Sequence, residues 1–60
     1  MNYKILEAQD THRSDAITEL QAEVYRLMQA GWKPQGGVSI ATESHGYSVY
    51  YTVCQAMIKE

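Results

Sequence analysis

Apolar and polar residues alternate, then recur at helical spacing, then alternate again along this chain, and each change of period marks an element. Over NYKILEAQ no breaker interrupts; Tyr3 and Ile5 share one face and Leu6 and Ala8 the other, the period of a strand. DTHRS follows as a polar connection. Ser14 reads as an N-cap, with Asp15 in the first turn where a negative charge suits the helix dipole. From Asp15 to Ala30 the period is helical. Ala16, Ile17, Leu20, Val24, Leu27 and Met28 form one apolar stripe, and Glu19, Glu23, Arg26 and Gln29 lie opposite, with Glu23 and Arg26 spaced for an ion pair. Gly31 stands where a helix-terminating glycine is expected, and Pro34 follows as a stop.

Beyond Gly36 and Gly37 the alternation returns in VSIAT, which puts Val38 and Ile40 on one face. ESHG reads as a turn around Gly46. In the closing YSVYYTVCQAMIK, Tyr47, Val49, Tyr51, Val53 and Met57 share one face and Tyr50, Thr52, Cys54, Ala56 and Ile58 the other. The chain is therefore expected to be a single α+β domain over residues 1–60, ordered β-α-β-β. The long apolar third strand belongs in the middle, for a three-stranded antiparallel sheet of order 1-3-2 with the helix on one face. One helix covers one face only, yet the third strand is apolar on both. The surplus predicts a homo-oligomer, with the free face or a sheet edge packed on another copy.

Size strengthens that expectation. A 60-residue chain buries only about 60% of the surface its unfolded form exposes, and such domains add disulfides, a metal or self-association. The single Cys54 excludes an internal disulfide, and His12 and His45 form no zinc-spaced set with it, so neither a metal nor a cofactor is expected. A net charge of −2 carries no footprint for duplex nucleic acid. No apolar run reaches membrane-spanning length and no signal peptide precedes the first strand, so with one unpaired cysteine the expected setting is cytoplasmic.

Catalytic templates fail in turn. No serine has a nucleophile-elbow frame, no carboxylate pair is singled out, and QGGVS lacks the lysine of a phosphate loop and precedes a strand. His45 reads as a turn residue and Cys54 as an inert buried thiol. No catalytic residue is assigned, and the chain is read as a non-enzyme. Binding is the better prospect, and it centres on GWKPQGGVS. Trp32 is either a plug at the end of the core or a platform for a flat ring. Gly36 and Gly37 either turn the chain or let a phosphate approach the backbone. Lys33, and Arg13 if it lies at the same end or in a neighbouring copy, supply positive charge; Tyr47, Tyr50 and Tyr51 either pack the sheet or line an interface pocket.

The segments YKILEA, GWKPQGGVS and YYTVCQAMIK together resemble a family of small phage and bacterial proteins known as a domain of unknown function. The likeness spans nearly the whole chain except DTHRSD and ESHGYS, which carry no family signature. It implies a phage context and a fold, with no catalytic residues. By analogy of size and context, the expected function is an anti-defence sponge, an oligomer that sequesters a small anionic ligand such as a nucleotide-derived host immune signal. The alternative is an interaction module that blocks a host or phage protein through its open sheet face.

Overall fold

In the computed structural model, which describes residues 1–60, the elements are β1 (Asn2–Asp10), α1 (Arg13–Gln29), β2 (Lys33–His45) and β3 (Ser48–Lys59). The sheet is ordered β1-β3-β2, with β3 antiparallel to both neighbours, as the apolar character of its two faces requires. Leu6 and Ala8 of β1 stand opposite Gln55 and Val53 of β3, so the helix-facing side chains are the even positions of β1 and the odd positions of β3. The core consists of Leu6, Ala16, Leu20, Leu27, Val53 and Met57, with Ala8, Val24, Trp32 and Tyr51 packed round it.

Both ends of α1 depart from, or sharpen, the sequence reading. The helix begins at Arg13, and Ser14 is not its cap. Asp10 Oδ1 accepts the His12 N–H at 3.1 Å, a local turn that redirects the chain before Ser14 is reached. The Ser14 carbonyl is already inside the first turn and accepts the Thr18 hydroxyl at 2.9 Å. At the other end the Trp32 N–H reaches the Leu27 carbonyl at 3.0 Å and the Gly31 N–H reaches Met28 at 3.1 Å. That pair of bonds is a Schellman motif, in which Gly31 supplies the left-handed residue at φ 95°. The motif places Trp32 directly over Leu27, so the chain order glycine-tryptophan has a structural cause. Gly31→Ala is expected to cost about 1 kcal/mol through backbone strain alone, since only the Lys59 side chain lies near an added methyl; a urea titration checks it.

The sequence reading put Gly36 and Gly37 in a turn before the second strand. They lie instead within β2, which starts at Lys33 and runs for 13 residues. Between Gln35 and Ser39 two extra residues enter β2 relative to β3, and this bulge occupies Gly36, Gly37 and Val38. Buried Gln55 explains why it is stable. Its side-chain amide donates to the carbonyls of Gln35 at 3.3 Å and Gly36 at 3.2 Å, and to Ala56 at 2.9 Å. Gln55→Leu keeps the volume but withdraws that donor, for an expected loss of about 1–3 kcal/mol on denaturant unfolding.

The second turn is also later and tighter than ESHG. β2 continues through His45, which pairs with Ser48 across a two-residue loop of Gly46 and Tyr47. Gly46 at φ 64° with an ordinary Tyr47 is the type II′ geometry that matches strand twist. Tyr47 therefore belongs to no strand face and is fully exposed. The hairpin extends past the end of β1, which stops opposite Tyr51, and draws the molecule out to 43 × 17 × 13 Å.

The helix lies over β1 and β3 and barely touches β2, every residue of which is exposed. Of the predicted stripe, Ala16, Leu20 and Leu27 are buried, while Ile17 and Met28 sit on the flank above β2. The uncovered apolar surface therefore lies on both sides of the sheet, not only on the helix-free one.

Candidate functional site

Positive charge gathers where α1 ends. Lys4 stands opposite Met57, Lys33 opposite Ile58 and Asn2 opposite Lys59, which brings three of the chain's five basic residues to one end of the sheet. Lys33 and Lys59 line a shallow hollow of about 360 Å³ with Gly31, Ile58 and Glu60. The Lys4 ammonium sits 5.9 Å from the centre of the Trp32 ring, a cation–π distance. Trp32 itself is half-buried and packed on the core. Its placement matches the plug; a ring stacking on its outer face would have to displace Lys4.

Of the predicted binding residues, Trp32 and Lys33 meet at this end, and Gly36 and Gly37 follow a few positions along β2. Arg13 does not join them. It opens α1, whereas Trp32 follows its last turn, so within one chain the two are separated by the helix length, about 25 Å. The tyrosines diverge as well. Tyr51 faces the core, Tyr50 faces the helix-free side beside His45 at 5.7 Å between ring centres, and Tyr47 tips the hairpin. Lys4 and Lys59 were passed over in the sequence because nothing near them forms a motif. Strand register is the signal that finds them, since counting β1 against β3 brings Lys4 and Lys59 to the same end of the sheet.

No family model, curated protein or solved structure matches the chain.

A larger concavity lies elsewhere. Between α1 and β2 runs an open groove of about 670 Å³, walled by Ile17, Gln21, Tyr25 and Met28 and floored by Pro34 and Val38. None of its lining residues is an acid, lysine, arginine or histidine, so it offers an anion no counter-charge. The positions predicted for binding do not line it. Sequence periodicity assigned Ile17 and Met28 to the core because a helical stripe reports burial on average, not which flank a neighbouring strand leaves open.

Two polar clusters complete the surface. Asp10, His12 and Asp15 place their ligand atoms within 4.8 Å of one another where α1 begins. Asp10 is committed to the His12 N–H, and Asp15 is the first-turn acid expected from the helix dipole. On the hairpin His45 Nε2 lies 3.2 Å from Glu43 Oε2. Cys54 corrects a further expectation. It is not a core thiol but sits half-buried on the helix-free side between Glu7 and Ser39. No helix is long and apolar enough to cross a membrane.

Proposed function

We propose that this chain is a non-enzymatic binding protein that self-associates and holds a small anionic ligand, of the class of a phosphate-bearing nucleotide, at the Lys33–Lys59 end. One observation carries the reading. In a chain of net charge −2, Lys33 and Lys59 line one hollow in which Glu60 is the single acid, and Lys4 lies over the Trp32 ring at the same end of the sheet. A local positive field of this kind attracts phosphate even though the whole molecule is acidic. Sequestration needs binding and no chemistry. The phage resemblance makes a nucleotide signal of host defence the natural ligand, and the cytoplasm the natural setting.

Isothermal titration with cyclic nucleotides and ADP-ribose derivatives tests the proposal. At least one should bind, and Lys33→Glu with Lys59→Glu together should weaken it more than tenfold without lowering the melting temperature by more than a few degrees. Binding that survives the double reversal, or no binding across the panel, would sink it.

A second reading is favoured by the helix-free side, where Tyr3 opposite Ile58 and Ile5 opposite Ala56 make an apolar patch. In that reading the patch docks on a host or phage protein. Ile5→Glu should then abolish capture of one stoichiometric partner while leaving nucleotide titrations unchanged.

A further inference from the structure

The two edges of the sheet are not equivalent. β1 carries Lys4, Glu7 and Asp10, charges of the kind that keep edges from pairing with other chains. The first half of β2 is guarded by Pro34 and by the bulge at Gly36 and Gly37. From Val38 to Thr42 there is no charge, no proline and no glycine, and Val38 and Ile40 are each about half exposed at 56% and 51%. An unguarded edge presents backbone donors and acceptors that only another strand satisfies in series.

Which groups point outwards follows from the hairpin. His45 and Ser48 flank a two-residue loop and so exchange both their backbone bonds. Counting back from His45, Glu43, Ala41 and Ser39 direct their amides at β3, and Thr42 and Ile40 direct theirs at the open edge. We propose that two copies of this chain pair antiparallel along this edge, with Ile40 opposite Ile40. The result is a continuous six-stranded sheet with both helices on one side.

Register and charge favour a second copy as the occupant. With Ile40 on the two-fold axis, Val38 of each copy stands opposite Thr42 of the other, so the exposed apolar side chains of both meet in one cluster. Moving the axis to Ala41 would face Val38 with Ser44, and moving it to Ser39 would set Thr42 against the bulge at Gly36. The β3 partners of Lys33 and His45, Ile58 and Ser48, lie five residues on either side of Val53, the partner of Ile40. The axis therefore sets His45 of one copy level with Lys33 of the other. Glu43, two residues before His45, brings an opposite charge near that lysine. The projecting hairpin, which packs on nothing in its own chain, runs beside the Gly36–Gly37 bulge of the second copy and brings Tyr47 to its lysine end. The five unguarded residues form a ladder about 17 Å long, and the hairpins flank it at both ends. The inference rests on the self-association proposed above and names its surface; the anion site stands or falls separately.

Cross-linking tests the register. Opposed residues in a bonded antiparallel pair have Cα atoms about 5.5 Å apart, within disulfide range. In a Cys54→Ser background, Ile40→Cys should therefore oxidise to a covalent dimer, and Ile5→Cys on the helix-free side should not. Thr42→Pro removes an outward N–H and spares the β2–β3 ladder, so the folded protein should sediment at 6.8 kDa where the wild type sediments at twice that. A wild type that is monomeric at 100 µM would overturn the dimer, whatever its nucleotide titration shows. A dimer that cross-links through Ile5 and not Ile40 would overturn this surface while leaving self-association standing. A dimer linked through Ile40 that binds no nucleotide would support this inference and remove the anion reading alone.

Discussion

Met57→Ala is expected to leave the domain largely unfolded at 25 °C. Met57 is fully buried at the end of β3, with Lys4 and Pro34 opposite it on the flanking strands and Leu27 and Trp32 in the same cluster. Truncating a buried methionine costs about 2–5 kcal/mol in lost transfer energy and residual cavity. A 60-residue domain holds only about 3–9 kcal/mol in all. The core has six buried apolar residues and no second layer to collapse into the space. Urea unfolding followed by far-ultraviolet circular dichroism checks the result, and because a dimer would be stabilised by mass action the comparison belongs at one fixed protein concentration. A loss below about 1 kcal/mol would mean the core is not where the packing places it.

Trp32→Ala is the second large effect, and it decides between two roles. The indole packs on the core beside Leu27, whose carbonyl accepts the Trp32 N–H of the helix-ending motif. Full burial would make the truncation worth about 3–5 kcal/mol, and half-burial reduces that to about 2. For a domain this small the melting temperature should fall by about 10 °C. A plug must show this loss. An intact melting curve combined with abolished nucleotide binding would instead make Trp32 a ligand platform, with Lys4 moving aside.

The fold was readable because local signals agreed. The 3.6-residue stripe of α1, the glycine that ends it, and a third strand apolar on both faces leave little choice but to place β3 in the middle. What escaped the reading was set by side chains remote in sequence. Ser14 looked like a cap because nothing in its neighbourhood announces that Asp10 will bond the His12 amide and start the helix early. Gly36 and Gly37 looked like a turn because the residue that turns them into a bulge, Gln55, lies on another strand.

The candidate site shows the same division. Trp32 and Lys33 stand out in the chain as an aromatic and a cation beside glycines, and the structure keeps them together. Lys4 and Lys59 come to the same end only through strand pairing. Arg13 was grouped with them on charge alone, and the length of α1 separates it within one chain. The groove above β2 was invisible for a different reason. A helical stripe tells which residues avoid water, and the position of the helix over two strands of three decides which of them succeed. Conversely, the regular alternation of VSIAT was legible as a strand, and only its place at an unguarded edge gives it a second use.

Native mass spectrometry in the presence of the nucleotide panel tests the central claim most directly, because it reads assembly and ligand in one spectrum. The account predicts ions at twice 6.8 kDa carrying bound nucleotide, with the nucleotide lost when Lys33 and Lys59 are both changed to glutamate. A bare 6.8 kDa ion at every nucleotide and protein concentration would contradict it.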